Sequence, residues 1–591
     1  MYKHNSIQES VLKNYWQAKN LDEIFISKIS QSLDLSDTLA KLISTRINSL
    51  EEAKNFIDPK IKNLLPDPFE LLDMHKATDR VITAIKKKEN ICLLADYDVD
   101  GATSAALLKN ILKSFNLNSK IYIPQREEGY GPNINIVNHI AKEATLLITL
   151  DCGSSSIEEL DHANNLGLDT IVLDHHITSS NLPKVFAIVN PNRHDEKTNY
   201  KNLAAVGVTF LFLVALISKL KSKNFFTEKN RKIPSLVDQL DIVALGTICD
   251  VVKLDPLNRA LVKQGLKISS ISKNLGYKTL CKLSKIDKEK ISSYDLSFLL
   301  GPQINAGGRI GNSSIGSRLL STNSFSEANS LANELYILNQ SRKNIESTIL
   351  EEAIKKAEFQ KNDPLILVTG QNWHKGVIGI IAARLKEKYS KLSIVISLEG
   401  GFGTASCRSI KQIDISQKIL AAKSQKFILK GGGHKMAAGF LIKEDSLTDF
   451  HNFLTNAVKQ DLKNQEKDIK FFDLNLRINA ITENLIEEIL QLEPYGISNP
   501  APIFKISNFH ILEKKILKNA HISLKLQDSF STHNKKIINA IAFNVMQTSI
   551  AEILLKNHFP SINFSILGQV KSQTWNNKIS KQILIQDVIL E

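Results

Sequence analysis

Three aspartates at alternate positions follow a short apolar run in the first fifth of the chain. Residues 91–94 predict a buried strand, and Asp96, Asp98 and Asp100 come next, followed by Gly101. If the chain stays extended there, the two-residue period of a strand directs all three carboxylates to the same side. Carboxylates that lie so close repel one another, and burying them without a counter-charge is costly. The spacing therefore indicates a divalent metal ion as the counter-charge.

Further candidate ligands stand at the ends of three later apolar runs. Asp151 follows the run 145–150, and Asp250 follows the run 242–248. The run 170–173 is followed by three candidates, Asp174, His175 and His176. A single acidic residue in such a place is more often a helix cap or a turn residue than a ligand. A carboxylate at every such end, with two histidines at one of them, favours a metal site instead. Carboxylate oxygens with imidazole suit Mn²⁺ or Mg²⁺ better than a metal that prefers thiolate.

The two adjacent histidines predict a division of roles. Neighbouring residues at a strand end point in opposite directions, so we expect that His175 and His176 cannot face the same way. One of them can bind a metal ion while the other faces the substrate. The nearby cysteines, Cys152 and Cys249, are better explained as small core residues than as ligands.

The elements that would position these residues alternate between helix and strand from about residue 76. The predicted strands are 91–95, 120–123, 145–150 and 170–173, and the predicted helices are 76–88, 102–115, 133–142 and 156–165. Such alternation predicts an α/β domain with a parallel sheet and helices on both of its faces. Ligands of such sheets bind beyond the carboxyl ends of the strands.

Three further regions follow the predicted parallel sheet. The strongly helical stretch 315–361 predicts one long helix that links two domains. Residues 363–455 predict a second, smaller α/β domain, whose glycine-rich turns 403–409 and 430–439 could bring backbone amides close to a phosphate. Either run could instead be a tight turn without a ligand. The tail from about residue 468 contains five or six short extended runs, which predict a small β-barrel.

Composition narrows the class of protein. The chain has 591 residues and a net charge of +14, which favours nucleic acid or another polyanion as a partner, although a lysine-rich solvated surface is the alternative. None of the five cysteines forms a CxxC pair, which argues against a zinc ribbon and favours a reducing, cytoplasmic setting. The polar N-terminus lacks the apolar core of a signal peptide. The apolar run 203–217 is short for a membrane span and predicts a buried helix.

The motifs DYDVDG, LDCG, LDHH and GTICDVV, in this order and spacing, resemble the successive motifs of the DHH phosphoesterase superfamily. The segments IYIPQREEGYG, GPQINAGGRIG and LNQSRKNIE are similar to its branch of single-stranded-DNA-specific 5′ to 3′ exonucleases. NWHKGVIGIIAARL, with the two glycine-rich runs, resembles the DHHA1 domain that accompanies DHH domains. LEPYGISNPAPIF resembles the start of the OB-fold domain of the exonuclease branch. The resemblance covers most of the chain.

The resemblance implies five regions. They are an N-terminal helical segment at 1–75, a DHH catalytic domain at 76–314, a connecting helix at 315–361, a DHHA1 domain at 362–460 and an OB-fold nucleic-acid-binding domain at 465–591. The fold class expected is therefore α/β multidomain with a C-terminal OB-fold β-barrel.

The resemblance also implies roles for individual residues. Two ions, Mn²⁺ or Mg²⁺, would be held by Asp98 on one side, by Asp100, His175 and Asp250 on the other, and by Asp151 as the bridge. Asp96 and Asp174 would orient the ligands, and His176 would touch the scissile phosphate. The residues expected at the 5′-phosphate are Arg126, Ser406 and Arg408, and those expected at the nearby DNA backbone are Arg309, His374, Ser409 and His434.

The expected activity is two-metal hydrolysis of single-stranded DNA to 5′-mononucleotides, in recombination and repair. The expected partners are single-stranded DNA, a helicase and a single-strand-binding protein, and the chain is expected to be a cytoplasmic monomer. One alternative is a DHH phosphodiesterase for short oligonucleotides or cyclic dinucleotides, against which length, the barrel-like tail and the basic charge argue. The other is a non-catalytic single-strand-binding protein, which would have lost a ligand, whereas every expected ligand is present.

Overall fold

The predicted apolar strands form the centre of a parallel sheet in the computed structural model of the chain. Its five strands are, in spatial order, Ser119–Tyr122, Ile91–Ala95, Leu146–Leu150, Asp169–Leu173 and Ala187–Val189. All four neighbouring pairs are parallel. The three central strands are almost entirely buried, which explains why their sequences are continuous apolar runs. The prediction of a parallel sheet is confirmed, and the strand Ala187–Val189 is an addition to it.

The structure describes residues 6–228, 231–463, 468–530, 536–556, 563–575 and 578–591. The chain forms two compact units. The first contains Met1–Leu65, Val251–Gln264 and Lys467–Glu591, and the second contains Pro66–Asp250 and Gly265–Glu466. The parallel sheet belongs to the second unit.

Helices surround the parallel sheet. They are Met74–Lys87, Val99–Ser114, Ile134–Ile140, Ile157–Asn165, Ala205–Ser222, Phe225–Glu228 and Leu240–Cys249. Among the described residues, one helix, Ala205–Ser222, is long and apolar enough to cross a membrane, and 72% of it is buried within the structure. It is therefore the buried helix that the apolar run 203–217 predicted.

A series of helices continues the chain. They are Pro256–Ser270, Leu275–Leu283, a π-helix at Asp295–Leu300, Gly301–Ile310, Ile315–Ser321 and Phe325–Glu358. The first of these helices belongs to the first unit as far as Gln264. The helical stretch predicted at 315–361 is thus interrupted after Ser321. Ser324 begins the second helix by accepting a hydrogen bond from the Glu327 amide at 3.3 Å.

The second sheet of this unit is mixed. Its strands are, in order, Lys430–His434, Ala437–Lys443, Phe402–Arg408, Leu392–Glu399 and Leu365–Gln371, and its helices are Ile378–Tyr389, Ile415–Ser424 and Leu447–Lys463. The prediction of glycine-rich turns is wrong, because both runs lie mostly in strands. A Cβ on Gly403 would lie 2.7 Å from Ile396 Cγ2, and one on Gly431 would lie 2.8 Å from Phe440 Cβ. Glycine is present because neighbouring side chains approach these strands closely.

The first unit contains a seven-stranded sheet. Its strands are, in order, Leu474–Leu476, Phe504–Ile506, Phe564–Trp575, Lys578–Leu590, Ile537–Ala542, His521–Asp528 and Phe509–Leu517, and its helices are Glu483–Gln491 and Ser549–Leu555. The sheet has more strands than the five or six predicted, and two of them are 12 and 13 residues long.

The N-terminal region folds with this C-terminal sheet in the same unit. Its helices are Glu23–Leu33, Asp37–Ser44, Leu50–Ile57 and Ile61–Leu64, and its strands are Gln8–Glu9 and Tyr15–Ala18. Tyr15–Ala18 pairs in parallel with Ile469–Phe472, so the region is not purely helical. Ile26 and Leu42 share one hydrophobic core with Phe504 and Leu524.

A buried ion pair joins the two ends of the chain. Asp473, 4% exposed, accepts hydrogen bonds from Lys19 Nζ at 2.8 Å, Arg46 Nη1 at 2.9 Å and the Ile503 amide at 2.9 Å. Burial acts to raise the pKa of Asp473, but the charges of Arg46 and Lys19 outweigh it and hold this pKa below its ordinary value.

Candidate metal centre

The predicted carboxylates and histidines meet at the carboxyl edge of the parallel sheet. Three groups have ligand atoms within 4.8 Å of one another, namely Asp96 with Asp98 and Asp151, Asp100 with His175 and Asp250, and Asp151 with His175 and His176. Asp151 and His175 each belong to two groups. His175 Nε2 lies 3.2 Å from Asp151 Oδ1 and 3.6 Å from Asp250 Oδ2. The three groups therefore form one continuous centre.

The first three aspartates converge through a turn from strand to helix. The strand ends at Ala95 and a helix begins at Val99, so the expectation of an extended chain is wrong. Asp98 is the helix N-cap, and its Oδ1 accepts hydrogen bonds from the amides of Asp100 at 2.8 Å and Gly101 at 3.1 Å. Among the described residues, no hydrogen bond involves the second carboxylate oxygen of Asp98, so this oxygen is available to a metal ion.

Asp100 is bound at the start of another helix. Its side chain is fully buried, and its two oxygens accept hydrogen bonds from the amides of Ala205 at 2.6 Å and Val206 at 2.9 Å. These amides open the helix Ala205–Ser222, where backbone N–H groups lack partners within the helix and favour negative charge. Two helix N-termini thus fix two of the candidate ligands.

The two histidines approach the same carboxylate. Their ring centroids are 4.5 Å apart, and His176 Nδ1 lies 3.9 Å from the Asp151 Oδ1 that His175 also approaches. The expectation that the rings cannot face the same way is therefore wrong. The reason is a bend after Leu173, where Asp174 Oδ1 accepts the amides of His175 at 2.7 Å and His176 at 3.2 Å.

Asp174 also binds the His176 ring, with Oδ1 2.8 Å from Nδ1. Burial acts to raise the pKa of Asp174, but the hydrogen bond and charge of His176 keep it well below its ordinary value. Burial acts to lower the pKa of His176, but the hydrogen bond to Asp174 raises it overall. The hydrogen bond to Asp174 therefore favours the protonated form of His176, whose other nitrogen remains available to a substrate.

Three buried ligand atoms have no hydrogen bond to any residue that the structure describes. They are Asp96 Oδ1, His175 Nε2 and Asp250 Oδ2. Buried polar atoms without partners cost free energy, so this arrangement requires a further ligand. Carboxylate oxygens with one or two imidazole nitrogens are the donor set expected for Mn²⁺ or Mg²⁺. The residues present therefore fit divalent ions.

The electrostatics of the centre lead to the same conclusion. Burial, followed by the charges of neighbouring carboxylates, raises the pKa of Asp96 to about 8, of Asp100 to about 7 and of Asp250 to about 9. Burial and the surrounding aspartates raise the pKa of Asp151 as well. Burial lowers the pKa of His175 to about 4, which leaves its imidazole neutral and able to bind a metal. The aspartates can all be ionised near neutral pH only when cations compensate them.

A cluster of arginines lies beside the centre. Arg126 Nε donates to the Gly308 carbonyl at 3.1 Å, and its guanidinium lies 4.7 Å from the ring centroid of Tyr97, between two candidate ligands in sequence. Burial, followed by the charges of Arg126, Arg342 and Arg408, lowers the pKa of Arg309 to about 10. The charges of these guanidinium groups together create a positive potential that attracts a phosphate.

The second sheet contributes to this cluster through one strand. In Phe402–Arg408, alternate residues are buried, so Ala405 and Cys407 point into the core while Ser406 and Arg408 lie on the other face. Arg408 Nη1 lies 3.3 Å from Ser406 Oγ, and burial lowers the pKa of Arg408.

The remaining predicted DNA-binding residues have different surroundings. His374 Nδ1 accepts the Gly376 amide at 3.0 Å, and the Gly376 carbonyl accepts Arg309 Nη1 at 3.0 Å, so His374 is adjacent to the arginine cluster. His434 is exposed at the end of the edge strand Lys430–His434. Ser409 is only 1% exposed and its hydroxyl donates to the Ile413 carbonyl, a position that does not favour the predicted DNA contact.

Sequence reasoning missed three residues that touch the centre. The Tyr130 hydroxyl donates to the Asp151 carbonyl at 2.9 Å. The same hydroxyl oxygen lies 3.4 Å from His176 Nδ1. Asn190 and Asn192 bind the backbone carbonyls of His176 and His175. Both asparagines follow the short apolar strand Ala187–Val189, which was not predicted. The end of that strand is the sequence signal that could have found them.

Comparison with known proteins identifies the family. Three family models match, the DHH family N-terminal domain at residues 90–247, the DHHA1 domain at 362–460 and the RecJ OB domain at 472–587. The single-stranded-DNA-specific exonuclease RecJ of Bacillus subtilis is 31% identical, over 97% of this chain and 71% of its own length. That of Escherichia coli is 34% identical, over 87% of this chain and 90% of its own length. The chain belongs to the RecJ family.

A solved structure of a RecJ family member has the same fold. RecJ from Thermus thermophilus in complex with Mn²⁺ matches with a TM-score of 0.79 and 25% identity, over 97% of this chain and 79% of that chain. A second structure of that protein, in complex with Mg²⁺, matches in fold with a TM-score of 0.74. The predicted combination of DHH, DHHA1 and OB domains is confirmed by these matches.

Proposed function

We propose that this chain is a metal-dependent exonuclease that hydrolyses single-stranded DNA from the 5′ end and releases 5′-mononucleotides. The observation that carries the proposal is the junction of two ligand groups at Asp151, beside the arginine cluster. The ligand groups supply a place for hydrolysis, and the arginine cluster supplies a place for a terminal phosphate. The family relationship supports single-stranded DNA as the substrate.

The candidate ligands divide into two sets. We assign Asp98 to one ion, Asp100, His175 and Asp250 to the other, and Asp151 to both. Asp96, whose Oδ1 is buried without a partner among the described residues, lies within reach of the first set. When bound, Mn²⁺ or Mg²⁺ ions neutralise phosphate charge and lower the pKa of the water they hold.

The chain's own residues supply charge and direction. Asp174 holds His176 so that its other nitrogen faces the scissile phosphate. The hydrogen bond to Asp174 raises the pKa of His176 and so favours the protonated ring, which stabilises the charge that develops during hydrolysis. Arg126 and Arg408, with Ser406, grip the terminal 5′-phosphate, because a planar guanidinium binds phosphate through two hydrogen bonds. A grip at the end of the strand sets the polarity of degradation.

The wider assignments are also part of the proposal. We assign 1–75 to an N-terminal segment, 76–314 to the catalytic domain, 315–361 to the connection, 362–460 to the DHHA1 domain and 465–591 to single-strand binding. The chain works as a monomer in the cytoplasm, where a helicase and a single-strand-binding protein present its substrate in recombination and repair. The five free cysteines suit a reducing compartment.

The decisive experiment is an analysis of products. The purified protein is incubated with Mn²⁺ and a long single strand labelled at its 5′ or 3′ end, and with the same sequence as a blunt duplex. We expect early release of the 5′-labelled mononucleotide from the single strand alone. Early release of the 3′ label would contradict the polarity. Turnover confined to di- or trinucleotides would contradict the substrate class.

A further inference from the structure

Two asparagines hold the backbone of the histidine pair. Asn192 Nδ2 donates to the His175 carbonyl at 2.7 Å and to the Lys201 carbonyl at 2.9 Å. Asn190 Nδ2 donates to the His176 carbonyl at 2.9 Å and to the Ser154 hydroxyl at 2.9 Å. Each histidine therefore has its own asparagine, and each asparagine ties it to a separate segment of the chain.

The two asparagines also hold each other. Asn190 is fully buried, and its Oδ1 accepts the Asn192 amide at 2.7 Å, so both of its polar atoms are bound. The Ser154 amide donates to Asp174 Oδ2 at 3.1 Å, which connects this network to the carboxylate that binds the His176 ring. The loop after the strand Ala187–Val189 is thus bonded to the histidine segment at several points.

We propose that Asn190 and Asn192 are positioning residues of the metal centre, with separate tasks. Asn192 directs His175 towards the carboxylates it approaches, and Asn190 directs His176 towards the substrate. The physical reason is that a fixed carbonyl fixes the whole planar peptide unit, and with it the direction in which the attached side chain leaves the backbone. The assignment of tasks rests on the proposed function, in which His175 binds an ion and His176 faces the phosphate.

The two tasks predict different effects of the isosteric change from asparagine to aspartate, which removes both N–H donors. In Asn192→Asp we expect the affinity for Mn²⁺, measured by isothermal titration calorimetry, to fall about 10- to 100-fold. In Asn190→Asp we expect Mn²⁺ affinity to stay within about twofold, while kcat at saturating Mn²⁺ falls about 10- to 100-fold and KM for DNA is unchanged. If the substitutions only made the loop less stable, both variants would lose Mn²⁺ affinity and kcat together.

Asn274 provides the matched control. Its side chain likewise joins backbone segments, since Nδ2 donates to the Leu320 carbonyl at 2.7 Å and Oδ1 accepts the Tyr277 amide at 2.8 Å. Asn274→Asp should therefore lower the melting temperature but leave Mn²⁺ affinity and kcat unchanged. If Asn192→Asp does not fold, Asn192→Ala tests the same loss of donors without adding a charge.

Two results would overturn the inference. One is wild-type Mn²⁺ affinity in a folded Asn192 variant, and the other is the same loss of affinity in Asn274→Asp as in Asn192→Asp. Failure of the proposed function would be seen in the unmodified protein, which would then bind no Mn²⁺ or would leave single-stranded DNA intact.

Discussion

Gly101 is a position at which one added methyl group should disturb the metal centre. A Cβ at this residue would lie 2.3 Å from the Asp96 carbonyl oxygen and 2.8 Å from its carbonyl carbon, whereas ordinary contacts begin at 3.4 Å. Since both obstacles are backbone atoms, no side chain can rotate away. In Gly101→Ala, the helix that carries Asp98 and Asp100 must therefore move from the strand end by about 1 Å, and such a misplacement costs roughly a hundredfold in rate.

The assay is the initial rate of 5′-label release from a single strand at saturating Mn²⁺, with the melting temperature measured on the same sample. We expect kcat/KM to fall about a hundredfold, which corresponds to about 2.7 kcal/mol of transition-state stabilisation. Gly276→Ala is the control, because its Cβ would lie 1.9 Å from the Leu319 carbonyl oxygen, away from the candidate ligands. Both variants should lose stability, but only Gly101→Ala should lose rate. A folded Gly101→Ala with activity close to that of the wild type would refute the reasoning.

Further predictions follow from the same geometry. Asp151→Ala should reduce hydrolysis more than about a hundredfold while single-strand binding stays measurable in a gel-shift assay; retained turnover would contradict its place between the two ligand groups. Arg408→Lys should reduce the preference for 5′-phosphate over 5′-hydroxyl ends about tenfold in competition assays, because one charge-assisted hydrogen bond is lost. Because the pKa values of Asp96 and Asp250 are raised to about 8 and 9, Mn²⁺ must displace protons, so calorimetry should show affinity increasing as pH rises towards 9. Asp473→Asn should destabilise its unit by about 3 to 5 kcal/mol in urea unfolding at pH 7. Since the pKa of Asp473 is depressed, its contribution is present above the pKa of the unfolded chain and disappears as pH falls through the folded value, so the variant should equal the wild type in acid.

The sequence was sufficient to predict the sheet and the edge at which chemistry occurs. Strands such as Leu146–Leu150 are buried on both faces, and a continuous apolar run between polar residues is a strong local signal of that burial. Asp151 could be assigned to the centre because the residue after a parallel strand lies at the ligand-binding edge. Each of these inferences could be made from the sequence of a single strand and the residue that follows it.

The errors had two causes, one a local hydrogen bond and the other long-range packing. The alternation of Asp96, Asp98 and Asp100 is compatible with a strand, but the helix begins at Val99, where Asp98 can cap it. Glycines near residue 403 suggested turns, although the strand there is held by both of its neighbours. Local propensity is a weak guide wherever tertiary packing opposes it.

The candidate ligands stabilise the local backbone as well as offering atoms to a metal ion. Asp98 caps one helix and Asp100 caps another, while Asp174 bends the histidine segment, so each carboxylate compensates backbone amides that would otherwise lack partners. The same bonds fix the direction of the oxygens and nitrogens that remain free. What the fold does not compensate is the mutual repulsion of the buried carboxylates, which raises their pKa values. The binding of divalent ions relieves that repulsion. The hydrogen bonds therefore fix the positions of the ligand atoms, and the uncompensated negative charge favours the binding of cations.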